Sequence, residues 1–301
     1  MVRRSIQIIL VLLVVSLAIF ILARVSGDPL DLLLSVHATP EDYVREKARL
    51  GLDKPLPVQY GLFLLNAVKG DFGRSIKTNK RVSRLMAEKL INSGKLASAA
   101  LFMALIISIP FGVIAAVRKG TFWDVFARII AGTGQSIPIF WLGFMLMFLF
   151  SLKLRWLPPT GIGGIKHYLM PAFVMGWFLV AGFIRLLRSS MLDVLGSEYI
   201  KMARMKGLSE RVVIWKHALR NSLLPVVGFG GVYVAICVTS SIVTEVVFAW
   251  PGFGPLVYDA IMYRDYPLMQ GVVLVGAFIV LMANFIVDIL YAYLDPRIRY
   301  S

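Results

Sequence analysis

Six runs of about twenty apolar residues divide this chain of 301 residues, and their length decides what it can fold into. A helix rises ~1.5 Å per residue, so ~20 apolar residues cross a hydrocarbon core of ~30 Å. The runs lie at 6–23, 96–117, 129–152, 168–187, 226–247 and 272–294. Spread at core spacing, the same residues would suit two soluble domains; gathered in this way they call for lipid. A hydrophobic share of 58%, a charged share of 16% and a mean hydropathy of +0.76 exclude the disordered, collagenous and disulfide-rich classes. The expected fold is all-α, a polytopic membrane protein with six transmembrane helices.

An even number of spans puts both termini on one side. With the N-terminus inside, fifteen Lys and Arg fall in the short inner segments, against four in the short outer ones (Lys153, Arg155, Lys166 and Arg264). This bias places both termini in the cytoplasm. It also accounts for the net charge of +15 as cations beside anionic lipid, with no nucleic-acid partner. The segment from Arg24 to Lys95 holds thirteen more basic residues, but loops beyond ~60 residues translocate largely regardless of charge. The first run exceeds the ~7–15 apolar residues of a cleaved signal and reads as an uncleaved anchor. Cys237 lies alone within an apolar run, so no internal disulfide or cysteine zinc site is expected.

The chain therefore divides at 1–95, one span plus a long extracytoplasmic segment, and 96–301, a five-helix core containing a cytoplasmic loop at 191–225. In the long segment Thr39 is placed to cap a helix with Pro40 at its first position, Glu41 and Asp42 suit its positive end, and Gly51 suits its close. A second short helix is expected over 57–69, ending in the turn Gly70-Asp71-Phe72-Gly73. Together they would form a small cap over the bundle.

The third span is unusual. Gly132, Thr133, Gly134, Gln135, Ser136 and Pro138 crowd its first half, where a lipid-facing helix would carry Leu and Ile. The fifth repeats the theme with Thr239, Ser240, Ser241 and Thr244, followed by Glu245. Two readings stand: close helix packing through small and hydroxyl residues, or a polar translocation path lined by Gln135, Ser136, Thr239, Ser240, Thr244 and Glu245. Intramembrane charge is otherwise sparse. Glu245 falls near the outer end of its span, where gating, inter-subunit pairing or a structural hydrogen bond would suit it. Asp288 falls near the inner end of the last span and reads as structural.

Residues 191–225 read MLDVLGSEYIKMARMKGLSERVVIWKHALRNSLLP. Ser197 is placed to cap a helix through Lys206, Gly207 to end it in a left-handed conformation, and Ser209 to cap the next. In that second helix Val212, Val213, Trp215, Ala218 and Leu219 fall on an apolar side and Arg211, Lys216 and Arg220 on a polar one. A short amphipathic helix of this kind rests on lipid or docks into a partner's groove. Physics alone leaves both open. Arg204, Lys206 and Arg211 suit acids on a partner, or solvent and lipid headgroups.

EYIKMARMKG and HALRNSLLPVV in this segment, with Gly27-Asp28-Pro29, LGLDKPLPVQY from Leu50, Gly70-Asp71-Phe72-Gly73 and Ser75, Pro138 with FWLG, WLPPTG, WPGFG, RDYP and the terminal LDPRIRY, resemble the permease subunits of binding-protein-dependent ABC importers, in the peptide and nickel branch. The likeness covers nearly the whole chain. It implies a type I importer permease in a prokaryotic inner membrane, paired as a heterodimer with a second permease, seated on two ATPase subunits and served by an extracytoplasmic binding protein. It implies that 191–225 is the EAA-type coupling loop, with Glu198, Tyr199, Ala203, Arg204, Lys206, Gly207, Glu210 and Arg211 at the ATPase, and with Ala203 and Gly207 at its fixed small positions. The chain departs from the strict pattern with Lys201-Met202-Ala203 in place of Glu-Ala-Ala. Di- or oligopeptides are the implied substrate, with nickel, glutathione and oligosaccharides as alternatives.

ATP and magnesium would bind the partner ATPases, because this chain has no phosphate-binding loop: Gly94-Lys95 lacks the upstream glycine and is followed by Leu96. His37, His167 and His217 have no metal-ligand spacing, and no nucleophile elbow occurs, so neither a metal nor catalysis by this chain is expected. The rival functions are an ATP-independent carrier or channel, which calls for midplane carboxylates, and a structural anchor, which needs no polar third span.

Overall fold

Every apolar run becomes helix, one of them broken, in the computed structural model, which describes residues 2–25, 27, 30, 39–49 and 51–294. His37, Asp28-Pro29, Leu50 and the terminal DPRIRY lie outside the described residues, as do the side chains of Gln135, Cys237, Thr239, Ser240 and Asp288. In chain order the helices are α1 (Val2–Val25), α2 (Pro40–Arg49), α3 (Leu56–Val68), α4 (Val82–Val117), α5 (Phe122–Ser136) and α6 (Ile139–Leu146), which runs into a π-helical stretch, Met147–Lys153. There follow α7 (Ile165–Leu195), α8 (Glu198–Met205), α9 (Glu210–Val212), a second π-helical stretch at Val213–Ala218, α10 (Leu219–Ser222), α11 (Leu224–Val247), α12 (Phe253–Met262) and α13 (Tyr266–Leu294). Among the described residues α1, α4, α7 and α13 are long and apolar enough to cross a membrane, and α5 with α6 would make a fifth if counted as one span.

The third apolar run is corrected by the structure: it is not one continuous helix. Ile137 is extended (φ −87°, ψ 123°), the conformation that a following proline imposes, and α6 leaves α5 at 109°. Pro138 also lacks the N–H that would have continued the ladder. A second departure is α12, where the sequence suggested only loop. Its apolar Phe253, Leu256 and Ala260 are buried at helical spacing.

The helices form two units. The first comprises 1–93 with 251–282, its core built from Ile19, Ala23, Met86, Phe253, Ala260 and Val272. The Thr39 cap forms as the sequence suggests, for the Asp42 amide donates to its Oγ1 (3.3 Å) and Thr39 donates to the Asp42 carboxylate from both Oγ1 (2.8 Å) and its own amide (3.1 Å). The Thr39 hydroxyl, helped by that amide, holds the Asp42 carboxyl below its ordinary pKa. Gly51, Gly70 and Gly73 all take positive φ, at 66°, 72° and 76°.

Three motifs far apart in sequence meet in this unit. Asp265, fully buried, caps α13 through its Oδ1 to the Leu268 amide (3.2 Å) and accepts from the Ser75 hydroxyl on its Oδ2 (2.6 Å) and from the Lys77 amide (3.3 Å). The Tyr266 hydroxyl donates to the Gly27 carbonyl, and a Cβ on Gly27 would strike the Arg264 guanidinium. Thus Gly27, Ser75 and the RDYP stretch are one structural knot. Ser75→Ala takes a donor from a buried carboxylate, and hydrogen bonds to charged groups contribute about 1.5–3 kcal/mol. A loss of that size should appear in thermal unfolding of the purified protein, and Asp265→Asn should lower stability at the same place.

The second unit comprises 94–250 with 283–301. Its hub is α7, which carries small residues where its neighbours come close. A Cβ on Gly176 would lie 2.8 Å from the Ala100 carbonyl oxygen of α4, and Gly182 faces the Phe229 ring of α11 at 2.5 Å. On α5 it is Gly134 that admits α7, at Ala181 and the Trp177 carbonyl. Trp250 is fully buried edge-on to Tyr168, ring centroids 4.7 Å apart.

Candidate coupling site

The segment 191–225 folds back onto the core of the second unit. α7 ends at Leu195, and after Gly196 and Ser197 α8 begins, tying the segment to the hub helix. Ile200 and Ala203 on one side of α8 are buried in the same cluster as Leu187 and Met191 of α7. Its other side leaves Tyr199, Met202 and Met205 exposed, with Leu208 beyond the turn. Gly207 has φ +75°; its amide donates to the Arg204 carbonyl (2.9 Å) and the Leu208 amide to that of Ala203 (3.4 Å). This pair of bonds is the glycine-closed helix end expected from the sequence. Nothing lies within 4 Å of a Cβ built on Gly207, so within this chain the glycine serves backbone conformation and leaves open space.

Two expectations for the segment are corrected. Ser197 and Ser209 occupy the residues before α8 and α9 with extended backbone, but neither side chain makes a cap bond; the Ser197 hydroxyl donates to the Val194 carbonyl instead (2.5 Å). Trp215 does not join the apolar side and stands 49% exposed. The cause is the π-helical stretch, whose wider turn buries Val213 and Ala218, five residues apart, and rotates Trp215 outward. Arg204 is already engaged within the chain, its Nε and Nη2 donating to the two Glu210 oxygens at 2.7 and 3.3 Å across the Gly207 turn. Glu198 pairs with Lys201 at 2.7 Å on its own helix. Both pairs are exposed, and such surface pairs contribute ~0.2–1 kcal/mol. Tyr199 bridges to the following helix, accepting from the Asn221 amide (2.7 Å) and donating to the His217 carbonyl (3.3 Å). Lys206 and Arg211 are exposed.

The sequence reading missed Asp124. It lies in the first turn of α5, 2% exposed, and receives Nε and Nη2 of Arg188 on α7 at 2.6 and 2.9 Å, the Gly120 amide at 3.0 Å and a flanking contact from Arg128 at 3.6 Å. The Thr121-x-x-Asp124 spacing was the available signal, since a carboxylate three residues into a helix suits its positive end.

Of the residues suggested for a path, Ser136, Thr244 and Glu245 have described side chains. Ser136 is exposed at the end of α5, its hydroxyl donating to the Gly132 carbonyl (3.1 Å), whereas Thr244 and Glu245 are buried inside the second unit near the end of α11.

Comparison with known proteins settles the family. The binding-protein-dependent transport system inner membrane component family matches residues 108–300, and the N-terminal region of such membrane components matches residues 1–92. The chain belongs to this transport family. It is 36% identical to the dipeptide transport system permease protein of Alkalihalophilus pseudofirmus and 38% identical to the oligopeptide transport system permease protein of Bacillus subtilis, each over 99% of this chain and 98% of the relative. A glutathione transport system permease protein of Salmonella paratyphi A is 36% identical over 99% of this chain and 98% of its own length. Among solved structures, a chain of the inward-facing MetNI methionine ABC transporter aligns with a TM-score of 0.57 at 17% identity, covering 70% of this chain and 96% of that one. The transport component is therefore an all-α, multi-pass inner-membrane protein with an ABC permease fold.

Proposed function

We propose that the chain forms one membrane half of an ATP-driven importer of di- or oligopeptides, in which the segment 191–225 docks on an ATPase subunit. The exposed apolar side of α8 carries this reading: Met202 and Met205, 57% and 77% exposed, stand on a helix whose other side is fixed to the hub of the bundle. A helix so held moves with whatever grips its outer face. Glu198, Tyr199, Ala203, Arg204, Lys206, Gly207, Glu210 and Arg211 form or support that contact. Arg204 and Glu210 do so by bracing the turn, which leaves Lys206 and Arg211 to meet partner acids.

In this reading the six spans place both termini in the cytoplasm, 1–95 supplies the first span and the long extracytoplasmic segment, and 96–301 supplies the five-helix core. The partners are a second permease, two ATPases that bind the ATP and magnesium, and an external binding protein; this chain catalyses nothing. Gln135, Ser136, Thr239, Ser240, Thr244 and Glu245 are the path residues, and the burial of Thr244 and Glu245 requires that α11 move before they meet substrate. Peptides come first because dipeptide and oligopeptide permeases match the chain end to end, with glutathione the nearest alternative and nickel and oligosaccharides further off.

Purification of the tagged chain from its native membrane in mild detergent, with mass spectrometry and an ATPase assay on the eluate, tests the reading. A second permease and Walker-type ATPases should co-elute. A solitary chain without ATPase activity, under conditions that preserve known complexes, would instead favour an autonomous carrier.

A further inference from the structure

We infer that the Asp124–Arg188 pair is a strut that makes α5 move with α7 and the coupling segment as one body. The inference rests on the docking reading above, but its own evidence is geometric. Asp124 is buried and both its oxygens are used: Oδ1 takes Arg188 Nε and Oδ2 takes Arg188 Nη2 and the Gly120 amide. A two-pronged guanidinium–carboxylate bond fixes direction as well as distance, which a single apolar contact does not.

The place of the pair matters as much as its strength. Arg188 lies in α7 two turns before Leu195, where that helix passes into α8. Asp124 lies in the first turn of α5, whose far end carries Ser136 and the break at Pro138. Ten residues after Asp124 and two before Ser136, Gly134 lets α5 touch α7 at Ala181 and Trp177. Between these two points Ala127 and Ala131 of α5 are buried in the same apolar cluster as Phe183, Ile184 and Leu187 of α7, so α5 lies against α7 along its length and the pair adds the directional bond at its first turn. A pull on α8 therefore passes through α7 into α5 and reaches the bend between α5 and α6. Without the pair, the first turn of α5 loses its directional bond to α7 and can tilt about the packed far end at Gly134. Asp124 and Arg188 are thus positioning residues: they set how faithfully the first turn of α5 follows α7.

The test uses the assembled complex in nanodiscs, in a Cys237→Ser background, with spin labels on cysteines placed at Ile129 of α5 and Asp193 of α7. Both positions are exposed. With the native pair, the label separation should be one narrow distribution, unchanged between nucleotide-free and vanadate-trapped states. Asp124→Asn and Arg188→Lys, the latter keeping charge but not the two-pronged bond, should broaden it on trapping, and the exchanged pair Asp124→Arg with Arg188→Asp should narrow it again.

In proteoliposomes the same single variants should hydrolyse ATP at nearly the native rate. Their uptake of a labelled dipeptide per ATP should fall about tenfold, within the usual range of coupling between distant sites. Narrow, unshifted distances in assembled Asp124→Asn complexes would overturn the strut. So would hydrolysis and uptake falling in parallel with the amount of complex, which is the mark of a merely structural pair. Absence of any ATPase from the native complex would fail the docking reading instead, and in the chain alone an Asp124→Asn label distribution as narrow as the native one would still overturn the strut.

Discussion

Gly134→Ala should destabilise the second unit by about 1–3 kcal/mol, although it places the best helix-forming residue in the last turn of α5. The two effects have opposite signs. Helix propensity favours alanine over glycine by ~1 kcal/mol, and for an isolated α5 that would be the whole result. In the protein, a Cβ on Gly134 overlaps the Ala181 Cβ and stands 3.1 Å from the Trp177 carbonyl oxygen. Carbon atoms at rest lie ~3.5–4.0 Å apart, so α5 must shift outward, and neither a Cβ nor a backbone carbonyl has a rotamer through which to yield. Shifting α5 loosens packing along its contact with α7, so the steric term exceeds the propensity gain. Gly134→Leu should prevent the unit from folding. The decisive control is the double variant Gly134→Ala with Ala181→Gly, which moves the methyl group from one helix to the other. It should recover most of the lost stability, giving a large coupling in a double-mutant cycle read by thermal unfolding. A Gly134→Ala protein as stable as the native one would show that the two helices do not touch there.

Features carried by local chemistry were legible in the sequence. Thr39 with Asp42, the left-handed Gly51, Gly70, Gly73 and Gly207, and the helices other than α12 follow from the preferences of a few neighbouring residues. What depended on residues far apart was not. The Ser75–Asp265 bond joins positions separated by 190 residues and the Asp124–Arg188 pair by 64, and no periodicity reports either. Trp215 was misplaced because the pattern was read at α-helical spacing while the backbone widens through Val213–Ala218. Pro138 marked a disturbance but not its size, since membrane helices absorb a proline as a mild kink or break at it according to what surrounds them. The serines before α8 and α9 show a further limit: cap-type residues at the right positions, with the right backbone, whose hydroxyls nonetheless make no cap bond.

Substitutions at Gly207 should separate the two roles a glycine can have in the coupling segment. Its φ of +75° lies where an L-residue with a Cβ is disfavoured by about 1–2 kcal/mol, and asparagine tolerates that region better than alanine does. Space is not limiting inside the chain, since nothing lies within 4 Å of an added Cβ. Conformation alone therefore predicts that Gly207→Ala weakens recovery of the ATPases about tenfold, the equivalent of ~1.4 kcal/mol, and that Gly207→Asn restores most of it. Conformation alone also leaves Gly207→Trp little worse than alanine, because the indole would point into open space. If an ATPase surface fills that space, tryptophan collides with it. Gly207→Trp should then insert into the membrane at native levels, lose the ATPases on purification and abolish ATP-driven uptake. A well-expressed Gly207→Trp chain with normal uptake would reject docking at this turn, whereas alanine-like behaviour would confine the role of Gly207 to its backbone.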